Sequence, residues 1–511
     1  VNDWQSETQP VPRGFAHLPA ATGGAARWLG LLVLVSVGLL AVRWAALQVN
    51  ATDLFFDESQ YWFWAQSPDF GYYSKPPLIA WIIAAATSVC GDSTACIRAP
   101  SALLYVIATL GVFAATIQLY GPRVAFLAGV VFAMLPGVSL SAGIISTDVP
   151  LLAAWAWALA AFIALVRGAG WWTGIALGVA IGVGLNAKYA MAYFVLGIFI
   201  FALMVEGQRR LLLNGRVWLA IAVALLLIAP NIVWNLENGF ATVAHTADNA
   251  NWGGRLGRPE KALEFFGAQF GVFGPILFGA LLVICWRAWR EGVGDAEALL
   301  LCFSVPIILI VTTQAFISRA HANWAAVSYV AAAIVVTAVM VRNADWAWLK
   351  GSLALHGAVI VALALGTAFA GSFVLPGGAD PFARTLGWQA LARSIRDERM
   401  ASDRAAGMPA KVILADTRSL AAQLSYYGRE RDVPVLSWRS GAIPKDHFEM
   451  TQPYQARPLE PVLFVSTRPE RRDEILAAFK SVEEIAQREI AAGLSESRTY
   501  TAYRLSGFKP R

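Results

Sequence analysis

Asp57 and Glu58 stand side by side just after the first long apolar stretch. Tyr61, Trp62, Phe63 and Trp64 follow, and then Lys75-Pro76-Pro77. Charge is expensive at the level of a membrane surface, and a chain that keeps it there usually uses it. A carboxylate facing a poorly hydrated cleft is placed to take a proton from a hydroxyl. A lysine nearby can hold a lipid-linked phosphate and stabilise the charge that grows on it as it leaves. The chemistry suggested is transfer of a sugar from a lipid phosphate. Plainer accounts exist: a helix cap for the acidic pair and a snorkelling side chain for Lys75. The run of rings points to a helix lying in the interface and holding the carboxylates, while Pro76-Pro77 fixes the backbone at the lysine.

Other residues extend the candidate site. Asp148, in Ser146-Thr147-Asp148-Val149-Pro150, reads either as a helix start or as a second acidic group facing the same cleft. Lys188 interrupts two apolar stretches, and Arg319 and His321 do the same further on. With Lys75 and Arg98 they suit an anionic lipid substrate, although each could simply snorkel. Tyr61, Tyr73, Trp234, Asn235 and His245 are the candidate sugar contacts, and Asn251-Trp252 lies in the same long loop, 236–269. Asp57 and Asp148 offer oxygen ligands to a divalent ion such as Mg2+ or Mn2+, but their spacing requires none. There is no nucleotide-binding fingerprint and no Cys/His ligand spacing. A net charge of +6 gives no case for nucleic acid.

Elements that could position these residues follow from hydropathy. With 57% hydrophobic and 14% charged residues among 511, the chain has the composition of a polytopic membrane protein. Stretches of spanning length lie near 27–47, 98–119, 122–140, 149–167, 170–187, 189–205, 214–235, 270–288, 296–316, 323–341 and 349–373. The shorter 76–90 stretch reads as interfacial. Arg13 and Arg27 precede the first span. If that end is cytoplasmic, Arg123, Arg167, Arg209, Arg210, Arg216, Arg287, Arg290, Arg342 and Lys350 fall on the same side. Every candidate site residue then faces outward. The expected fold is an α-helical bundle of 11 to 13 spans with interfacial helices. It divides into a cytoplasmic segment 1–26, a membrane domain 27–375 and a periplasmic α/β domain 376–511.

That last domain holds 21 of the 40 Lys and Arg residues and 17 of the 34 Asp and Glu residues, a soluble composition. Strands are predicted at 411–415 and 461–465 and helices at 383–399 and 470–480. No catalytic set is visible there, and Tyr426-Tyr427-Gly428 reads as a turn or an acceptor contact. Cys90 and Cys96 fall on the oxidising side with a spacing that allows a disulfide. Cys285 and Cys302 read as inert apolar residues.

An Asp-Glu pair after the first span, aromatic residues and then Lys75-Pro76-Pro77-Leu78 resemble the GT-C glycosyltransferases of the dolichyl-phosphate-mannose protein mannosyltransferase group, whose bacterial relatives include the lipid A aminoarabinose transferase. The similarity is clearest over 53–195 and extends to Arg319–Trp324. It implies a multi-pass inner-membrane enzyme with a periplasmic site and inversion at the anomeric carbon. Asp57 would be the catalytic carboxylate, Asp148 the second acidic position, and Lys75 the donor-phosphate ligand, helped by Lys188 and Arg319. The partners implied are a polyprenyl-phosphate sugar and an envelope acceptor: lipid A or lipopolysaccharide, another glycolipid, or protein. Two rival readings are a flippase for lipid-linked sugars, which calls for an inverted repeat, and an oligosaccharyl ligase using a pyrophosphate-linked glycan.

Overall fold

A computed structural model describes residues 24–250, 257–429, 433–456 and 458–509. Arg13, with most of the expected 1–26 segment, lies outside the described residues, as does Asn251-Trp252. Helices follow the apolar pattern. Ala25–Gln48, Thr94–Tyr120, Asp148–Val166, Gly215–Glu237 and Trp346–Ala368 are each long and apolar enough to cross a bilayer, as is the Asp295–Ile317 stretch. Pro122–Met134, Trp172–Ala187, Tyr189–Met204 and Ser328–Arg342 are shorter apolar helices at four further expected spans. Leu78–Cys90 has 13 residues. At 1.5 Å per residue it covers about 20 Å, short of a bilayer core of about 30 Å.

The expected loop 236–269 is largely helical instead. Ala241–Ala250 and Pro259–Val272 form helices there, the second started by a proline at its first position. Nor is 270–288 one straight helix. Pro259–Val272 and Pro275–Glu291 meet at 115°, because Gly274 takes φ +91 and Pro275 opens the next helix. A Cβ at Gly274 would run into the His356 ring.

The chain divides into two compact units. One comprises the chain up to Arg43, Ser101–Val233 and Thr246–Ala362. Within it Gly174, Gly178 and Gly182 repeat every fourth residue along one face of Trp172–Ala187. A Cβ at these positions would strike Arg216, Ala220 or Leu227 of Gly215–Glu237. Small residues at this spacing let two helices touch backbone to backbone, the usual device where lipid supplies no hydrophobic drive. Phe194 and Phe303 pack with ring centroids 4.7 Å apart, and Phe162 lies 5.4 Å from Phe303.

The other unit comprises Trp44–Pro100, Trp234–His245 and the chain from Leu363 on. Its sheet runs in the order β2-β1-β3-β5-β4, with β1 Val412–Ala415, β2 Val435–Ser437, β3 Val462–Ser466, β4 Phe479–Ala491 and β5 Ser497–Phe508. β1 is parallel to β2 and β3, while β5 is antiparallel to β3 and β4. Strands β1 and β3 are buried on both faces, which is why each is an unbroken apolar run. Ile413, Leu463 and Val465 pack into one layer with Leu391 and Ile395, and Val412, Leu414 and Phe464 pack into the opposite layer with Ile475. The helix predicted over 470–480 stops at Ala477, and Phe479 starts the edge strand β4. Lys480, Glu483, Glu484 and Arg488 along that strand discourage pairing with another chain.

Candidate active site

Asp57 and Glu58 open the Phe56–Ala65 helix. Successive residues on a helix point about 100° apart, and the two carboxylates have separate fates. Glu58 turns inward. Its Oε1 accepts from Arg98 Nε at 2.9 Å and its Oε2 from Arg98 Nη2 at 2.7 Å and from the Phe55 N–H at 2.9 Å. Arg98 also donates to Thr52 Oγ1 at 3.0 Å and to the Asp53 carbonyl at 2.9 Å. The paired side chains are 1% and 3% exposed. Glu58 is therefore a buried clamp on the helix start, with Arg98 engaged in holding it. Asp57 remains 36% exposed, with Oδ1 3.3 Å from Arg418 Nη2.

The segment bearing Asp57 is woven into the α/β fold of its own unit. Asp53 Oδ2 accepts from the Trp388 N–H at 2.7 Å and the Gln389 N–H at 3.3 Å, capping Trp388–Ala406. Burial pushes the Asp53 carboxyl above its ordinary value. The Leu54 N–H donates to Tyr427 Oη at 2.7 Å, and Ser59 Oγ donates to Gln423 Oε1 at 2.9 Å. Tyr426 Oη donates to the Asp92 carbonyl at 2.6 Å. Tyr426 and Tyr427 thus hold the Asp57 segment in place, from a helical turn over Leu424–Gly428.

Phe56, next to Asp57, and Arg418, its ion-pair partner, line a cavity of about 430 Å³ together with Arg384, Lys445, Arg468 and Arg471, while Asp57 itself is not in the lining. Arg384 and Arg418 sit over the rings of Phe55 and Phe56, each 5.0 Å from the ring centre. Arg471 is tied to Glu449 at 2.9 Å and to the Asp416 carbonyl at 2.7 Å. Asp446 and His447 also line the cavity. Burial pushes the Asp446 carboxyl up and the His447 imidazole down to about 3. These cations come from four separate stretches of a region whose sequence shows no motif, so only folding brings them together.

Of the expected sugar contacts, Tyr73 and His245 line this cavity, with rings 5.4 Å apart. Tyr73 Oη donates to the Pro444 carbonyl at 3.0 Å. The other three do not line it and have partners within the fold. Tyr61 is buried against Trp64, centroids 5.2 Å apart. Trp234 Nε1 donates to Asp69 Oδ2 at 2.7 Å, and Asn235 Oδ1 accepts from the Thr242 N–H at 3.2 Å. Tyr72 and Lys75 exchange both backbone hydrogen bonds, a tight turn that presents Lys75 just ahead of Pro76-Pro77. Cys90 and Cys96 are joined in a disulfide, while Cys285 and Cys302 are free.

The first unit holds the remaining candidates. Asp148, 8% exposed on the first turn of its helix, accepts from Lys188 Nζ at 2.6 Å through Oδ1 and from Asn323 Nδ2 at 2.6 Å through Oδ2. Lys188 projects from extended backbone just beyond Ala187, where its helix ends. Three distant stretches thus meet at one carboxylate, and the charge of Lys188 is answered by Asp148. Asn323 was not among the expected site residues; its place in the basic-aromatic segment after Arg319 was the only signal. Arg319 and His321 are exposed, and the His321 ring lies 5.5 Å from Trp324. Among the described residues no group of three or more His, Cys, Asp or Glu gathers as a metal cluster.

Residues 74–234 match the dolichyl-phosphate-mannose-protein mannosyltransferase family. The chain is 34% identical over 438 residues to the lipid A galacturonosyltransferase RgtD of Rhizobium johnstonii, covering 85% of this chain and 90% of that one. Its fold is similar to ArnT from Cupriavidus metallidurans, solved bound to undecaprenyl phosphate, with TM-score 0.62 and 16% identity over 94% of this chain and 98% of that one. The apo form of the same protein gives 0.60 over the same shares. The 34% identity to a sugar transferase over most of both chains sets the flippase reading aside: the chain belongs to the GT-C membrane glycosyltransferases, the group that includes the protein mannosyltransferases and the lipid A sugar transferases.

Proposed function

We propose that the enzyme moves a sugar, a hexuronic acid such as galacturonic acid, from a polyprenyl-phosphate donor to a lipid A-type glycolipid on the outer face of the inner membrane. The observation that carries this reading is the placing of Asp57: a solvent-accessible carboxylate on a short helix, paired with Arg418 of a cationic cavity wall. The acceptor hydroxyl oxygen attacks the anomeric carbon, and its proton passes to Asp57. The bond from that carbon to the phosphate oxygen breaks from the opposite side, so configuration inverts and polyprenyl phosphate leaves with the electron pair. Lys75 stabilises the departing phosphate. Asp148, Lys188 and Asn323 form a second polar centre within their own unit. The 34% identity to a lipid A galacturonosyltransferase supports the sugar and the acceptor. The Cys90–Cys96 disulfide supports an oxidising compartment for this side.

The test is purified enzyme with a panel of polyprenyl-phosphate sugars and lipid A. Transfer of galacturonic acid with release of free polyprenyl phosphate is the expected result. Release of a pyrophosphate-linked carrier, or transfer to protein alone, would overturn it.

A further inference from the structure

The cavity that Arg418 lines has more positive charge than removing a hydroxyl proton needs. Arg418 faces Asp57 and Arg471 faces Glu449. Among the described residues, Arg384, Lys445 and Arg468 have no carboxylate within ion-pair distance. Asp446 is the carboxylate in the lining; it accepts the Glu449 N–H at 2.9 Å to cap its own helix, and burial favours its neutral form. The other walls are hydroxyls and an amide, from Ser74, Thr417, Ser419 and Gln60, and the rings of Phe56 and Tyr73. Hydroxyls and flat rings suit a sugar. Arginine forks suit a bidentate oxyanion. Little in this lining would hold a polyprenyl tail.

We propose that this cavity is a subsite for an oxyanion carried on a substrate sugar, a phosphate or a carboxylate, bound by Arg384, Lys445 and Arg468. Arg418 stands between that anion and Asp57 and sets the sugar's distance from the base. The inference rests on the transferase reading and adds to it the recognition of a charged sugar. The anion has two sources: a phosphate on the acceptor or the carboxylate of the transferred sugar.

The experiment uses the full chain in lipid nanodiscs, with Lys445→Gln and Arg468→Gln. Both side chains are exposed, so neither change disturbs the fold. Acceptors are bisphosphorylated lipid A and its dephosphorylated counterpart; donors are galacturonosyl and galactosyl polyprenyl phosphate. Each variant should raise KM about tenfold for one charged substrate, the size of one lost charge-assisted hydrogen bond, and leave its neutral counterpart unmoved. The substrate that responds identifies the source, and Arg468→Lys should recover part of the loss. Equal shifts for charged and neutral substrates, or none, overturn the proposal. If the wild-type enzyme transfers nothing, the transferase reading fails on its own, and calorimetric titration with bisphosphorylated lipid A and with galacturonate still decides the cavity. Binding lost in the variants sustains it; wild-type protein that binds neither ends it.

Discussion

Arg98 grips Glu58 with two parallel hydrogen bonds, Nε to Oε1 at 2.9 Å and Nη2 to Oε2 at 2.7 Å, in a site almost closed to solvent. The neighbouring Asp57 is left as the accessible carboxylate, facing Arg418 at 3.3 Å. Two adjacent acidic residues of similar chemistry thus differ in kind, one holding the helix and the other open to reaction.

Breaking that grip should unfold before it inactivates. Glu58→Gln or Arg98→Met leaves one buried charge without its partner, at a cost of about 3–5 kcal/mol. Replacing both residues by apolar ones should restore part of the melting temperature. Thermal melts in detergent read this directly, and single variants that melt with the wild type would show the clamp to be dispensable.

Asp57→Asn should behave in the opposite way. Because the side chain is exposed, the melting temperature should hold, while transfer falls by a factor of about 10²–10⁴, the usual worth of a general base. Initial rates of polyprenyl phosphate release are the measurement. Near-normal rates would remove Asp57 from the mechanism.

Asp148 and Lys188 should act as a unit. Asp148→Asn and Lys188→Met each remove the same 2.6 Å ion pair, so the double variant should be little worse than the more damaging single one. A cycle on kcat/KM for the donor tests this, and strictly additive losses would mean that the two side chains work independently.

His447 predicts a pH effect on stability. Its folded value, about 3, lies below the ordinary 6.5 because burial disfavours the imidazolium. The neutral form favours folding above pH 6.5, and this contribution is lost progressively as pH falls from 6.5 towards 3. His447→Phe, set among the rings of Phe63, Trp64 and Tyr72, should flatten that slope relative to wild type. Parallel slopes in pH-resolved melts would contradict the assignment.

The Cys90–Cys96 bridge closes a loop of sequence separation 6. Removing both cysteines, or adding reductant, should cost about 2 kcal/mol by loop-closure entropy. Reductant should then lower the melting temperature of the wild type but not of the double serine variant.

Much of the architecture was legible because hydropathy is written locally. Spans such as 27–47 and 349–373 appear as helices within a few residues, and β1 and β3 show as apolar runs because both faces of those strands are buried. The β4–β5 hairpin escaped notice because an exposed edge strand has a charged face and no clear apolar rhythm. The 236–269 stretch was hidden for a related reason, since its helices Ala241–Ala250 and Pro259–Val272 are too short or too polar to read as spans.

At the site the division has a sharper cause. Residue types and order single out Asp57, Glu58, Lys75 and Asp148 as unusual, since charge amid apolar surroundings is conspicuous in any sequence of this composition. Which of them reacts depends on direction and neighbours. A rotation of about 100° along one helix sends Glu58 to Arg98 and leaves Asp57 open. Arg384, Arg418, Lys445 and Arg468 look like ordinary surface charge in a soluble stretch, and they become a cavity wall only when separate segments fold together, with Arg418 reaching Asp57.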